Sequence, residues 1–263
     1  MIKFFRQIRQ NLLHQNKISK YLVYASGEIL LVVIGIVLAL QFNAWSTNTK
    51  ELSKEEWYLN NILDDIHYQT QSLDIIVEDY KATIIAAKSI LKDYYFQKSF
   101  IGIDSLNSKL NLLMYAQFFP NTNNTYQELV SSGQLSLIKN NNVSLEVIDF
   151  YLYTADIESV FKNDINNIFY PQIYPVISNL VQVDIADFLQ DESDDYLLEK
   201  SPPISSLIEK KLENLSTRLA LENAIKLKIL ILSDQLTLID EVKKGAKELD
   251  VLVQKELDEH NHK

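Results

Sequence analysis

Between Leu22 and Phe42 the chain runs 21 residues with a single ionisable side chain, Glu28. As an α-helix rising 1.5 Å per residue, that run spans roughly 31 Å, the thickness of a hydrocarbon core. Starting after Glu28 would leave about 21 Å, short of a comfortable span, so Glu28 belongs to the span or to its shoulder. The sequence therefore predicts one transmembrane helix over residues 21–45. A cleaved signal peptide fits less well, because the run exceeds an ordinary h-region and no clean A-x-A site follows it.

Charge divides the chain at the same place. Residues 1–20 carry Lys3, Arg6, Arg9, Lys17 and Lys20 and no acid, whereas everything after Lys20 carries 20 basic against 35 acidic side chains. The positive-inside rule then places the leading segment in the cytoplasm and the rest outside it. Within 1–20, Ile2, Phe5, Ile8 and Leu12 recur every three or four residues, the pattern of an amphipathic helix lying on the bilayer. The acidic remainder repels nucleic acid and anionic lipid alike.

Two stretches resemble a family known only as a domain of unknown function, whose members are bacterial single-span proteins. One is the order MIKFFRQIRQNLL then KYLVYASGEILLVVIGIVLALQFNAW: a basic, Phe-rich opening, a Gly-Glu-Ile step into an apolar run, and an Asn and Trp exit. The other is TYQELVSSGQLSLIKN, residues 125–140, and the likeness fades after roughly Tyr153. The resemblance implies the anchored architecture and supplies no activity.

With five glycines and five prolines in 263 residues, the chain lacks the turn punctuation of a sandwich or barrel, and the fold class expected is all-α. Beyond the membrane, Leu59, Ile66, Leu73, Tyr80, Ala87 and Tyr94 repeat every seven residues, with Ile62, Gln69, Ile76, Thr83 and Ile90 between. A long helix over 51–97, able to run on from the span, follows from that stripe. Ile225, Ile229, Leu232, Leu236, Ile239, Val242, Ala246, Leu249, Val253 and Leu257 predict a second one. Gly245 is its weak point. The simplest packing is antiparallel and coiled-coil-like, within one extracytoplasmic helical domain over 46–263. In the middle, Asp104 or Ser105 would cap a helix to about Ala116, Thr125 and Glu128 would form a capping box, and Gly133 would end that turn. A helix from about Val143 to Ile168 would be broken by FYPQIYP, residues 169–175, and 181–200, with Pro202 and Pro203 after it, would be irregular or only partly helical.

The residues offer little chemistry. Cysteine is absent, which removes disulfides and thiolate sites. Asp64 and His67 form half of a carboxylate-histidine dimetal pattern, but the second half is missing, since the other histidines are His14, His260 and His262. The acidic group Asp184, Asp187, Asp191, Glu192, Asp194 and Asp195 lacks the EF-hand order. No G-x-S-x-G, phosphate-cradling loop or H-E-x-x-H occurs, so no catalytic residue, metal ligand or cofactor is assigned. Tyr94, Tyr95, Phe96, Phe118, Phe119, Tyr170 and Tyr174 read as core aromatics.

Glu28 is the residue whose cost needs explaining. On a helix it shares a face with Val32, Gly35 and Ala39, and the small pair Gly35 and Ala39 admits close approach of a neighbouring helix, which would shield the carboxyl. A bond to the Tyr24 hydroxyl would help it further. The partners implied are the lipid bilayer and, through this face, a second copy or another membrane protein. The expected role is a noncatalytic envelope scaffold or interaction module; the alternative is a ligand-sensing ectodomain that signals through a partner.

Overall fold

A computed structural model describes residues 18–183 and 205–261. The leading basic segment up to Lys17, the acidic group after Val183, Pro202, Pro203 and His262 lie outside the described residues, as does the side chain of Tyr24. The fold is all-α: among the described residues there are helices and no strand. In order these are α1 (Ile18–Gln97), α2 (Leu106–Leu112), α3 (Asn124–Ser131), a short 3-10 turn (Leu135–Leu137), α4 (Asn141–Asp164), a π-helix (Ile165–Ile173), α5 (Tyr174–Ser178), α6 (Ser205–Leu212) and α7 (Leu215–Asn261). They fall into two compact units, 1–57 and 58–263, to both of which α1 contributes.

The first unit contains the one described helical stretch long and apolar enough to cross a membrane. Its large apolar side chains, Leu30, Leu31, Leu38, Leu40 and Phe42 among them, are exposed.

The second unit is held by two long stripes. Leu59, Ile62, Ile66, Leu73, Ile76, Tyr80, Ala87 and Ile90 of α1 are buried, as the seven-residue repeat requires. Opposite them, Leu232, Ile239, Val242, Ala246, Leu249 and Val253 of α7 are buried too. The helices run antiparallel. His67 meets Asp250 at 2.8 Å, Asp74 meets Lys243, and the Tyr95 hydroxyl donates to Glu222 at 2.8 Å. Moving up α1 from 67 to 74 to 95, the partner on α7 moves down from 250 to 243 to 222, residue for residue. These half-exposed polar pairs contribute little energy, so the apolar stripes carry the stability and the pairs mark the register.

Between these helices the chain builds two apolar clusters. One joins α1 up to Ile84 with Phe119, Leu129, α4 and α7 from Leu232 onward. The other joins Ala86 to Leu91 with Phe100, Leu110, Leu113, the π-helix, α5 and Leu221 to Ile225.

The middle departs from expectation at Ser105, at Thr125 and Glu128, and at FYPQIYP. Ser105 caps nothing, because it adopts a left-handed conformation with φ 54 and its hydroxyl turns to Asp104; α2 starts after it and ends at Leu112. Thr125 and Glu128 form no capping box. The α3 N-cap is Asn123, the Thr125 N–H donates to Asp65 of α1 at 2.9 Å, and Glu128 accepts from the Tyr58 hydroxyl at 2.9 Å. Gly133 does end α3, at φ 68, with its N–H on the Val130 carbonyl and the Gln134 N–H on the Leu129 carbonyl, the paired bonds of a Schellman turn.

FYPQIYP does not break the helix that precedes it. Instead the backbone widens into a π-helix through Pro171. The cause is legible in the burial pattern. Ile157, Phe161, Ile165, Phe169, Ile173 and Ile177 are buried every fourth residue. In an α-helix, at 3.6 residues per turn, such a stripe would wind roughly 200° around the axis over its length. A wider helix keeps it on one face. Widening also eases the proline ring away from the carbonyl it would strike in an α-helix, that of Asn167, and the Gln172 amide donates to that carbonyl at 3.2 Å.

Finally, the aromatics divide. Phe119 is buried and Tyr94 stacks on Phe100 at 3.9 Å, but Tyr95, Phe118, Tyr170 and Tyr174 are substantially exposed and Phe96 is 91% exposed, so they are not core. Leu236 is only half-buried, and the deeper positions beside it are Leu232 and Gln235.

Two stability measurements check this packing. Leu73→Ala should cost roughly 2 to 5 kcal/mol in denaturant unfolding and Leu236→Ala clearly less. At Gly245 an added methyl would meet Phe150 Cδ2 at 3.7 Å, ordinary contact, so Gly245→Ala should stabilise by about 0.5 to 1 kcal/mol.

Candidate functional site

The apolar stripe of α7 is interrupted by buried polar side chains, Lys228, Gln235 and Glu256, and of these Lys228 alone is a cation. Lys228 lies three residues after Ile225 and four before Leu232, on the face that turns inward, and it is only 2% exposed. Its position falls where the two apolar clusters meet, since one ends at Ile225 and the other begins at Leu232 on this helix. Polar groups from four parts of the unit gather there.

The Lys228 ammonium donates to the Tyr115 carbonyl at 2.6 Å and lies over the Phe169 ring, 4.4 Å from its centre. Phe169 is placed there by the π-helix. Beside it the Tyr80 hydroxyl donates to the Gln117 carbonyl at 3.3 Å, and the Gln117 side-chain amide donates to Asp79 at 2.7 Å. Asp164, the last residue of α4, accepts from the buried Gln235 amide at 3.0 Å. Among the described residues Lys228 forms no ion pair.

A cavity of about 240 Å³ opens beside this group, lined by Asp79, Tyr80, Ala82 and Thr83 of α1, Leu112, Tyr115 and Gln117, and Lys228 and Leu232 of α7. Behind it a space of about 10 Å³ borders Tyr80, Asp164, Phe169, Lys228 and Gln235, the size of one water at most.

Burial sets the electrostatics. It pushes the Lys228 amine down from 10.5 to about 8, because a desolvated ammonium is disfavoured. It raises the Asp164 carboxyl, an effect the Gln235 hydrogen bond opposes and the nearby Asp234 charge reinforces. The Tyr80 hydroxyl is raised by burial and then by the charges of Asp164 and Asp79. At neutral pH Lys228 is therefore still mainly an ammonium. The arrangement can hold an anion against an ammonium, and near pH 8 it can offer a neutral amine.

The residues singled out from sequence fall elsewhere. Glu28, Val32, Gly35 and Ala39 share one face of α1 in the first unit, at steps of four, three and four residues; Glu28 is half-buried, the others are exposed, and a Cβ at Gly35 would meet open space. Asp64 and His67 do not act together, because His67 is taken by Asp250 from α7. His260 pairs with Glu256 one turn earlier, at 3.3 Å.

The model of a family described as "Family of unknown function (DUF6090)" matches residues 28–173, more than half of the chain. It opens at Glu28, takes in residues 125–140 and runs on past Tyr153 to the end of the π-helix. The basic opening lies before it and Lys228 beyond it. No curated protein and no solved structure matches the chain.

The buried ammonium makes stability depend on pH. The unfolded chain holds this proton up to about pH 10.5, whereas the fold releases it near 8, so between these values the unfolded state binds more protons and stability rises with pH. Over the full interval the gain is on the order of 3 kcal/mol. Above about pH 10 the buried Tyr80 and Tyr151, both raised, act in the opposite sense. Denaturant unfolding should show stability climbing from pH 7.5 to 9.5 in the wild type, and Lys228→Met should lose most of that climb.

Proposed function

The chain belongs to the family of unknown function DUF6090, and because membership brings no activity with it, we propose a role from the geometry: a noncatalytic, membrane-anchored helical protein that acts as an envelope scaffold or interaction module. The observation that supports this reading is the apolar stretch of α1 in the first unit, long enough to cross a membrane and with its large apolar side chains exposed. The anchor sits in a bacterial inner membrane, with the basic opening in the cytoplasm and the helical unit outside, in keeping with five basic side chains and no acid before the span. Its partner is a second transmembrane helix, from another copy or from a different membrane protein. That helix meets the face of Glu28, Val32, Gly35 and Ala39, where small residues allow close approach and a protein neighbour shields the carboxyl.

One observation favours a second reading, a ligand-sensing ectodomain that passes a signal to a partner in the membrane: the cavity beside Lys228.

Single-cysteine cross-linking from Ile29 to Leu40 in native membranes tests the first reading. Yields should peak at 32, 35 and 39, and Gly35→Leu should reduce them more than Glu28→Gln does, since membrane hydrogen bonds average only about 0.6 kcal/mol. A flat scan with Gly35→Leu neutral would remove the interface. For orientation, a reporter fused after Lys263 should be active only outside the cytoplasm, and activity inside would reverse the topology.

A further inference from the structure

We propose that the cavity beside Lys228 is a binding site for a small organic monocarboxylate, held by its carboxylate on the Lys228 ammonium with its apolar body along Leu112, Tyr115 and Leu232. The inference rests on the ligand-binding reading above and assigns its chemical class.

Lys228 is almost completely buried, yet its charge is not neutralised by any described side chain. A backbone carbonyl takes one of its three N–H groups and the face of Phe169 offers a weaker attraction. Neither is a counter-ion. Taking an ammonium out of water costs several kcal/mol, which a paired and hydrogen-bonded anion offsets far better than a carbonyl does. A structural lysine would more economically be a methionine in this stripe. The space for a counter-ion is present, because the cavity touches Lys228 directly.

The remaining walls restrict what enters. Its volume of about 240 Å³ lies below the range of drug-sized pockets and suits a small ligand. Leu112, Leu232 and Ala82 offer apolar contact, and Leu112 and Tyr115 are about half exposed, which leaves the mouth open to solvent. Thr83 donates its hydroxyl to the Asp79 carbonyl at 2.8 Å, and the Gln117 amide gives one of its two N–H groups to the Asp79 carboxylate. Lys228 is the one cation among the residues that line the cavity, and so the donor that suits a carboxylate best. Asp79 is exposed at the rim and carries a negative charge there, which disfavours dianions and polyphosphates.

Calorimetric titration of the full chain in nanodiscs tests the class with benzoate and hexanoate against benzamide, hexanamide and benzylamine. Benzoate and hexanoate should bind saturably at pH 7, at least tenfold more tightly than their amides, and weaken as pH rises through about 8, where Lys228 loses its proton. Lys228→Met should reduce carboxylate affinity at least tenfold. Ala82→Trp, which fills the mouth from an exposed position, should abolish it, while Lys243→Met on the far part of α7 should leave it unchanged. If Lys228→Met fails to fold, the wild-type comparison of benzoate with benzamide decides, together with NMR of isotopically labelled lysine: the Lys228 titration should move upward when benzoate is bound. Equal binding of acid and amide, or carboxylate binding indifferent to Lys228→Met, would overturn the carboxylate assignment while leaving a ligand site. Failure of every probe to saturate would overturn the site itself and the sensing reading with it.

Discussion

The second unit depends on the antiparallel packing of α1 against α7. Helices of this length gain most of their stability from an apolar stripe that finds a partner, and little from intrinsic propensity. Here each stripe is the other's partner, as Leu59, Leu73 and Tyr80 share a core with Leu232, Ile239 and Val253. The ends of the pair are far apart in sequence, so the contact closes a loop of well over a hundred residues. That entropy is recovered because loop-closure cost grows only slowly with length. Once the register is set, the short helices between have little freedom. Asp65 of α1 accepts the Thr125 N–H in the first turn of α3, the Tyr58 hydroxyl donates to Glu128, and α4 lies against α7.

The same packing explains why the polar group around Lys228 is costly and ordered. It lies between two apolar clusters, where effective screening is weak and each unmet group is penalised. Most of its members are bonded: Lys228 to the Tyr115 carbonyl, Gln117 to Asp79, Gln235 to Asp164, Tyr80 to the Gln117 carbonyl. Those bonds tie α1, the segment after α2, the end of α4 and α7 together at one level of the unit. Hydrogen bonding there specifies which helices meet, and the net charge left on Lys228 is what a second molecule can answer.

How much of this was legible in the sequence follows from where each partner lies. The seven-residue stripe of α1 and the stripe of α7 announce themselves because helical burial depends on the residue and its own neighbours three and four away. The left-handed turn at Gly133 is equally local. By contrast, Thr125 and Glu128 have the spacing of a capping box, yet both are claimed by α1, through Asp65 and Tyr58, which no short window can reveal. His67 is taken from Asp64 by Asp250 for the same reason. Lys228 was visible as a basic residue at an inward position of an apolar stripe, a signal available without the structure; its cavity was not, because the walls come from three separated stretches. The match to residues 28–173 agrees with the stretch at 125–140 and leaves α7, and so Lys228, outside it.

The nine residues of the π-helix have a consequence for how this chain tolerates changes of length. An extra or missing residue inside an ordinary helix rotates everything beyond it by about 100° and turns a buried stripe toward water. Between Ile165 and Ile173 the backbone already accommodates more residues per turn than an α-helix, so a one-residue excision there would tighten the coil rather than spin its far end. The same excision in α7 would detune every contact with α1 beyond the cut. Insertions and deletions are thus absorbed unevenly along this fold: the segment that looks most irregular is where the chain can best lose count.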